Sequence, residues 1–193
     1  MGKVIILLVF LILSLILVIL KNKQQVRIKK LEIIEMSKVF GDLKISDEKD
    51  IIRLQNDVIK IIKHEFNGDS LLNVFTILKY RKGMCFDRSI LLQKIMSFNK
   101  IDVRPVYLFY NKNNSKTYFY ELFRPSINSH NIFEFKYKNM WYVMATSEKI
   151  YELMILQDYI NSGLEVPNSV LYIRHLNNRN GRFLSPSWMP DIY

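Results

Sequence analysis

The N-terminal segment is an almost unbroken run of apolar residues. Val4 to Leu20 reads VIILLVFLILSLILVIL, and only Ser14 interrupts it. As a helix this run would extend about 25 Å, near the short end of what crosses a bilayer. A helix that is apolar on every side would otherwise need protein all round it, which a small domain seldom provides. The pattern therefore predicts a transmembrane anchor over residues 1–23.

A cleaved signal peptide and a buried core helix are the alternatives for this segment. The apolar core of a signal peptide is normally shorter and precedes a cleavage site of small residues, whereas Lys21, Asn22 and Lys23 follow here. We therefore expect a retained, single-pass anchor. The basic flank favours a cytoplasmic domain by the positive-inside rule, and an envelope-facing domain stays open.

Apolar residues then recur at helical spacing in several segments as far as Phe98. Residues 24–45 form a loosely amphipathic segment, interpreted as a juxtamembrane stalk helix that ends near Gly41. Ser46 and Asp47 are suitable N-caps for the helix that follows. The helices predicted beyond the stalk cover residues 46–66, 71–80 and 84–98.

After Phe98 the pattern changes to alternation, in segments rich in β-branched and aromatic residues. Lys138-Asn139 predicts a tight hairpin turn. One more helix, residues 151–161, and a tail over residues 167–193 complete the chain. The prediction is an α+β domain over residues 46–193, in which helices pack on a small antiparallel sheet with strands at 103–110, 116–123, 130–138 and 140–146.

The net charge of +10 is concentrated beside the apolar run. Six of the 28 basic residues and none of the 18 acidic residues lie in the first 30 positions. This arrangement predicts contact with membrane lipid through the N-terminal helix and its basic flank, and it disfavours nucleic acid as a partner. A single cysteine excludes an intramolecular disulfide and a zinc site built from cysteines. With only three histidines and no cluster at ligand spacing, no metal or cofactor is expected.

The only cysteine, Cys85, follows a glycine in the stretch YRKGMCFDRSILLQ and opens a helical pattern. The unpaired N–H groups and the dipole of a helix start favour the thiolate form of a cysteine. Taken by itself, such a cysteine is more often a buried packing residue. However, His130 opens a strand that should run against this helix, so its imidazole can act as a base toward the thiol.

The stretch KGMCFDRSILLQKIMSFNKIDVRPVYL resembles the core of the transglutaminase-like superfamily of cysteine proteases and acyl transferases, which has a papain-like core. In that family a Gly-x-Cys element opens the nucleophile helix, and an acidic residue often follows, as Asp87 does. A strand marked by an arginine comes next, matching Arg104, and the histidine starts a later strand, matching SHNIFEFKYKNMWYVMAT. Arg104 and Asp87 are expected to form a structural ion pair. The resemblance covers residues 70–150 and implies that Cys85 is the nucleophile and His130 the base.

The aspartate that completes the family's triad is missing from its expected position. The family places it just after a Trp-led apolar stretch, whereas WYVMATSE has Met144 and Ala145 there. Asn131 and Glu148 are possible orienting residues for the histidine. Strand alternation turns Asn131 away from the face of His130, and Glu148 can serve only if the end of its strand curls inward.

The resemblance implies a membrane-anchored cysteine hydrolase or acyl transferase that acts on an amide or peptide bond of a peptide or protein substrate. The missing aspartate supports an alternative, a catalytically degenerate fold that serves as a membrane-tethered peptide-binding or assembly module. Losing an orienting carboxylate costs orders of magnitude in rate without abolishing catalysis. The acceptor, water or an amine, and the oligomeric state stay open.

Overall fold

The computed structural model describes the backbone of residues 2–65, 73–110, 128–164 and 171–174, and the side chains of residues 10–65, 73–110 and 130–164. Within these ranges the predicted order of helices first and strands afterwards is confirmed. The elements are α1 (Gly2–Phe40), α2 (Glu48–Ile61), β1 (Lys63–His64), α3 (Val74–Tyr80), β2 (Lys82–Gly83), α4 (Cys85–Phe98), β3 (Val103–Tyr110), β4 (Asn128–Tyr137), β5 (Met140–Met144), α5 (Leu156–Ser162) and β6 (Leu171–Arg174).

Four antiparallel strands form the main sheet, in the order β5-β4-β3-β6. The hairpin between β4 and β5 turns at Lys138 and Asn139, both of which have positive φ, 47° and 65°. Two such residues match a type I′ turn, whose twist suits adjacent strands. The α+β class is therefore confirmed, whereas the predicted strand over residues 116–123 lies outside the described residues.

The two faces of the sheet carry separate hydrophobic clusters, because successive residues of β4 point to opposite sides. Phe133 and Phe135 pack with apolar residues of α1, α2, α3 and α4. Ile132 lies in the second cluster, which includes Leu108 of β3 and Leu156 of α5. The sheet is therefore covered by helices on both sides, and α4 packs against β4.

The helix boundaries differ from the predicted ones where backbone groups find partners outside the helix. Instead of reaching residue 66, α2 ends at Ile61, and residues 63–64 pair in parallel with residues 82–83 as β1 and β2. The helix predicted over residues 151–161 begins only at Leu156. The residues before it are held elsewhere, since Val143 donates its N–H to the Met154 carbonyl at 2.8 Å.

The predicted stalk, residues 24–45, is partly integrated into the core. Met36 and Leu43 are buried against α2, α3 and α4. Asn99, at the end of α4, holds the chain after α1: its amide accepts the Ile45 N–H at 2.9 Å and donates to the Leu43 carbonyl at 2.8 Å. The end of this segment therefore packs as part of the folded unit rather than as a free spacer.

The predicted anchor, Val4 to Leu20, lies on the first half of α1. Residues 2–9 are helical, but their side chains lie outside the described part of the chain. In the part that is described, none of the helices combines the length and the apolar character needed to cross a membrane. The side chains from Phe10 to Leu20 include ten large apolar groups that are exposed along the helix.

Candidate active site

The helix that carries the cysteine begins at Cys85, as predicted, and its first turn is fixed by Asp87. Met84 is the N-cap in an extended conformation, and its N–H donates to Asp87 Oδ2 at 2.8 Å. Gly83 lies directly against this carboxylate: a Cβ at residue 83 would come within 2.7 Å of Asp87 Cβ. A glycine is therefore required where β2 turns into α4, and Cys85 emerges at a defined position.

A buried arginine joins the nucleophile helix to two neighbouring segments. Arg88, one turn after Cys85, is 4% exposed and donates to backbone carbonyls. Its guanidinium contacts Ile62 O twice, at 2.9 and 2.7 Å, just after α2, and Thr146 O at 3.1 Å, just after β5. A planar guanidinium can satisfy several fixed acceptors at once. Arg88 therefore holds α2, α4 and the end of β5 together.

The two predicted catalytic residues lie in contact. His130 is a buried residue of β4, opposite Leu108 of β3, and its ring hydrogen-bonds to the Cys85 sulfur. The sulfur also accepts the backbone N–H groups of Phe86 and Asn131. Burial alone would raise the pKa of the thiol, but the hydrogen bond and charge of His130, together with these N–H groups, lower the pKa below its usual value of 9.0. The arrangement favours a thiolate beside an imidazolium.

The position of the family's aspartate is filled by apolar side chains. Met144 and Ala145 are fully buried in the two hydrophobic clusters, so no carboxylate reaches the ring from there. Glu148 is exposed, and its carbonyl accepts the Gln55 amide at 2.7 Å. The role of Glu148 as an orienting residue for His130 therefore stays a prediction.

Asn131 acts differently from the predicted orienting role. Its backbone N–H contacts the Cys85 sulfur, and its carbonyl accepts the Thr146 hydroxyl at 2.9 Å. Its Oδ1 is buried and makes no hydrogen bond with the described residues, so it does not accept a ring N–H of His130. Tyr107 lies opposite Asn131 in the β3–β4 ladder. Burial raises the pKa of its hydroxyl to about 12, so this hydroxyl stays protonated.

A second histidine, which the sequence did not indicate, lies beside the pair. His64 is opposite Gly83 in the β1–β2 ladder, close to Cys85 along the partner strand. Partial burial, followed by the positive charges of Arg88 and His130, lowers the pKa of His64. Both charges therefore act on its ring from nearby. Nothing in the local pattern could have found it, because β1 is a two-residue strand that shows no periodicity.

Arg104 pairs with a residue other than the one that the sequence suggested. A partnership with Asp87 was expected, but Arg104 Nε lies 2.6 Å from Glu134 Oε2, directly across the β3–β4 ladder. Its guanidinium also lies over the ring of Trp141, 4.0 Å from the ring centre. This cluster braces β3, β4 and β5. It does not include Cys85 or His130. Among the described residues, no group of three or more His, Cys, Asp or Glu side chains could hold a metal ion.

Comparison with known proteins finds similarity at the level of structure. No protein-family profile matches the sequence, and no curated protein matches it. A solved structure of a TGase is similar over 67% of this chain and 34% of its own length, at 11% identity and a TM-score of 0.45. A candidate cysteine protease from Cytophaga hutchinsonii is similar over 78% of this chain and 46% of its own, at 14% identity and a TM-score of 0.46. The chain thus spans less than half the length of either protein.

Proposed function

We propose that this chain is a transglutaminase-like cysteine hydrolase or acyl transferase that acts on amide or peptide bonds through Cys85 and His130. One observation carries the proposal: the sulfur at the start of α4 accepts a hydrogen bond from the His130 ring, and its pKa is lowered although it is largely buried. A cysteine that only fills space in a core needs no such partner, and burial would make it less acidic.

The reaction follows from these groups. The Cys85 thiolate attacks the carbonyl carbon of the substrate, and the oxyanion that forms is stabilised by backbone N–H groups of the first turn of α4. The His130 imidazolium donates its proton to the leaving nitrogen, the carbon–nitrogen bond breaks, and a thioester remains on Cys85. His130, now neutral, takes a proton from the acceptor as the acceptor attacks the thioester, which frees the sulfur.

The acceptor decides between hydrolysis and transfer. Water yields a peptidase or amidase, whereas an amine yields a new amide bond. We prefer hydrolysis because no motif of the sequence marks a site for an amine.

The test uses p-nitrophenyl acetate, an activated ester that needs no specific recognition. We expect a burst of p-nitrophenol and an acetyl group on Cys85, detected by peptide mapping of the quenched protein. The Cys85→Ser variant serves as the matched control and should show no burst. Addition of n-butylamine during turnover should leave acetate as the main product if water is the acceptor, and N-butylacetamide otherwise.

Absence of a burst from the folded wild-type protein would contradict the proposal. The alternative hypothesis, a catalytically degenerate peptide-binding or assembly module, would then be favoured, since such a module binds its partner without acylation of Cys85. An acetylated Cys85 that turns over slowly would instead agree with an active pair that lacks a strong orienting carboxylate.

We also propose that the N-terminal helix holds the domain at a membrane, on the cytoplasmic side that the basic flank predicts. The supporting features are the exposed apolar side chains between Phe10 and Leu20 and the lysines that follow them, Lys21 and Lys23. The chain should stay with the membrane pellet after an alkaline carbonate wash. Lysine substitutions at Leu13 and Ile16 should release it, and recovery of the unmodified chain in the supernatant would contradict the proposal.

A further inference from the structure

A cleft lined by basic residues lies on the β1–β2 ribbon, immediately before the nucleophile helix. Its volume is about 490 Å³, and it is open to solvent. The lining residues come from the end of α2, from β1, and from the end of α3 through the start of β2: Lys60, Ile61, Lys63, Tyr80, Arg81 and Lys82. We refer to this feature as the basic cleft.

The basic cleft carries positive charge that the described residues do not neutralise. Lys82 is paired with Glu65 at 2.8 Å. Lys60, Lys63 and Arg81 are exposed, and no ion pair is found for them within the described part of the chain. Among the residues that the structure describes, no carboxylate lines the cleft. Three like charges around one concave site cost electrostatic energy that an anionic ligand would relieve.

The backbone beneath these charges is fixed on both sides of the basic cleft. Arg81 ends α3 in the left-handed conformation, with φ 53°, and its N–H donates to the Ile77 carbonyl at 2.8 Å. Its own carbonyl accepts the Lys63 N–H at 2.8 Å, which ties β1 to this turn. The spacing between Lys63 and Arg81 is therefore set by the fold, and a ligand that matches it need not order the backbone.

The basic cleft is close enough to the nucleophile to contact the same substrate. Cys85 lies three residues after Lys82, so their Cα atoms are at most about 11 Å apart. Lys63 and His64 are successive residues of one strand, and their side chains therefore point to opposite sides. The charge of His130 acts on the His64 ring, so His64 lies on the side of the ribbon that faces the proposed catalytic pair. Lys63 lines the basic cleft, which therefore lies on the other side of the ribbon.

We propose that the basic cleft binds an acidic segment of the peptide or protein substrate whose amide is attacked by Cys85. This inference rests on the proposed function and adds a substrate class to it. The β1–β2 ribbon has only two residues per strand, so an extended peptide can pass around its end. At about 3.3 Å per residue, a carboxylate about five residues or more from the reacting bond would then reach Lys63 or Arg81. A peptide is favoured over a nucleic acid because Tyr80 is the only aromatic residue that lines the cleft in the described part of the chain, whereas single strands usually require several stacking platforms.

Binding is measured separately from catalysis, with the full-length Cys85→Ala protein in a nonionic detergent. The probes are two rhodamine-labelled peptides that differ only in having two adjacent glutamates or two adjacent glutamines. We expect the glutamate peptide to bind at least about fivefold more tightly at about 50 mM salt, where charges are weakly screened. Replacing Lys60, Lys63 and Arg81 by glutamine should remove this preference.

A matched control separates the basic cleft from the overall charge of the protein. The control replaces Lys44, Lys49 and Lys136 by glutamine, which changes the net charge equally at exposed positions outside the cleft. It should retain the preference for glutamate. The proposal would be overturned if both triple variants lost the preference for glutamate equally, or if the cleft variant kept it. It would also be overturned if an oligothymidine strand bound more tightly than the glutamate peptide and this binding required the basic cleft.

The burst with p-nitrophenyl acetate distinguishes failure of this inference from failure of the proposed function. That ester is uncharged and carries no acidic segment, so the wild-type protein should show the burst whether or not the basic cleft binds glutamate. A normal burst with no preference for glutamate would overturn the acidic substrate alone. Glutamate-dependent binding without any burst would retain the basic cleft as the binding site of a module that lacks chemistry.

Discussion

Replacing His130 by alanine is expected to slow alkylation of Cys85 by iodoacetamide at least about tenfold at about pH 6. The largest effect on the thiol is burial, which raises its pKa, and the hydrogen bond and charge of His130 reverse this effect. Without the ring, the thiol would lose the two largest effects that lower its pKa, and the pKa would rise. Since only the thiolate reacts, the rate at acidic pH would fall, and its rise with pH would shift to more alkaline values.

The measurement is the alkylation rate as a function of pH, followed by mass spectrometry of the intact chain. Urea-unfolded protein supplies the rate of an ordinary thiol. The His64→Gln variant removes the neighbouring imidazole and should alter the rate less than about threefold, because His64 is not among the groups that lower the pKa of Cys85. Identical pH profiles for wild type and His130→Ala would refute the thiolate–imidazolium pair.

Replacing Arg88 by methionine is expected to lower the free energy of unfolding by about 3 kcal/mol or more. Methionine retains most of the volume but donates no hydrogen bond. The carbonyls of Ile62 and Thr146 would lose donors at 2.7 to 3.1 Å in a buried region. Buried acceptors that lose their partners cost about 1–3 kcal/mol each, so the total exceeds the effect of an ordinary surface change.

The unfolding free energy is obtained from urea denaturation of the full chain in detergent, followed by tryptophan fluorescence. The matched control is Arg53→Met, because the Arg53 side chain is 39% exposed and forms ion pairs at 3.5 and 3.7 Å within α2. It also donates to the Asp42 carbonyl at 2.9 Å, but this contact is exposed, so water can replace the lost donor. This substitution should cost less than about 1 kcal/mol. If Arg88→Met were no more destabilising than Arg53→Met, Arg88 would not be the tie between α2, α4 and β5.

Features encoded by neighbouring residues were predicted well from the sequence. The start of α4 followed from the glycine before Cys85 and the acidic residue in the first turn, and the structure assigns Asp87 to that turn. The Lys138-Asn139 hairpin followed from two residues that tolerate positive φ. These features depend on the backbone preferences of a few adjacent residues, which any copy of the same short segment would share.

Features that depend on distant partners were missed or assigned differently. Residues 63–64 were predicted to be the end of a helix, but they pair with residues 82–83, and this pairing brings His64 close to His130. Arg104 faces Glu134 rather than Asp87, because register across the sheet sets its partner. Strand β6 falls within the predicted tail, since four residues are too few for an alternating pattern to be recognised.

The sequence by itself determined the α+β class and the helix that begins at Cys85, because periodicity and helix-start chemistry are local properties. The role of His130 was implied by the family resemblance and stays a prediction. The tertiary structure alone decided the contacts of the sulfur, the burial of Met144 and Ala145 where a carboxylate was expected, and the position of the basic cleft. Each of these depends on strand register and helix packing between residues far apart in the chain. Such contacts are selected by the free energy of the whole fold, and no short window of residues specifies them.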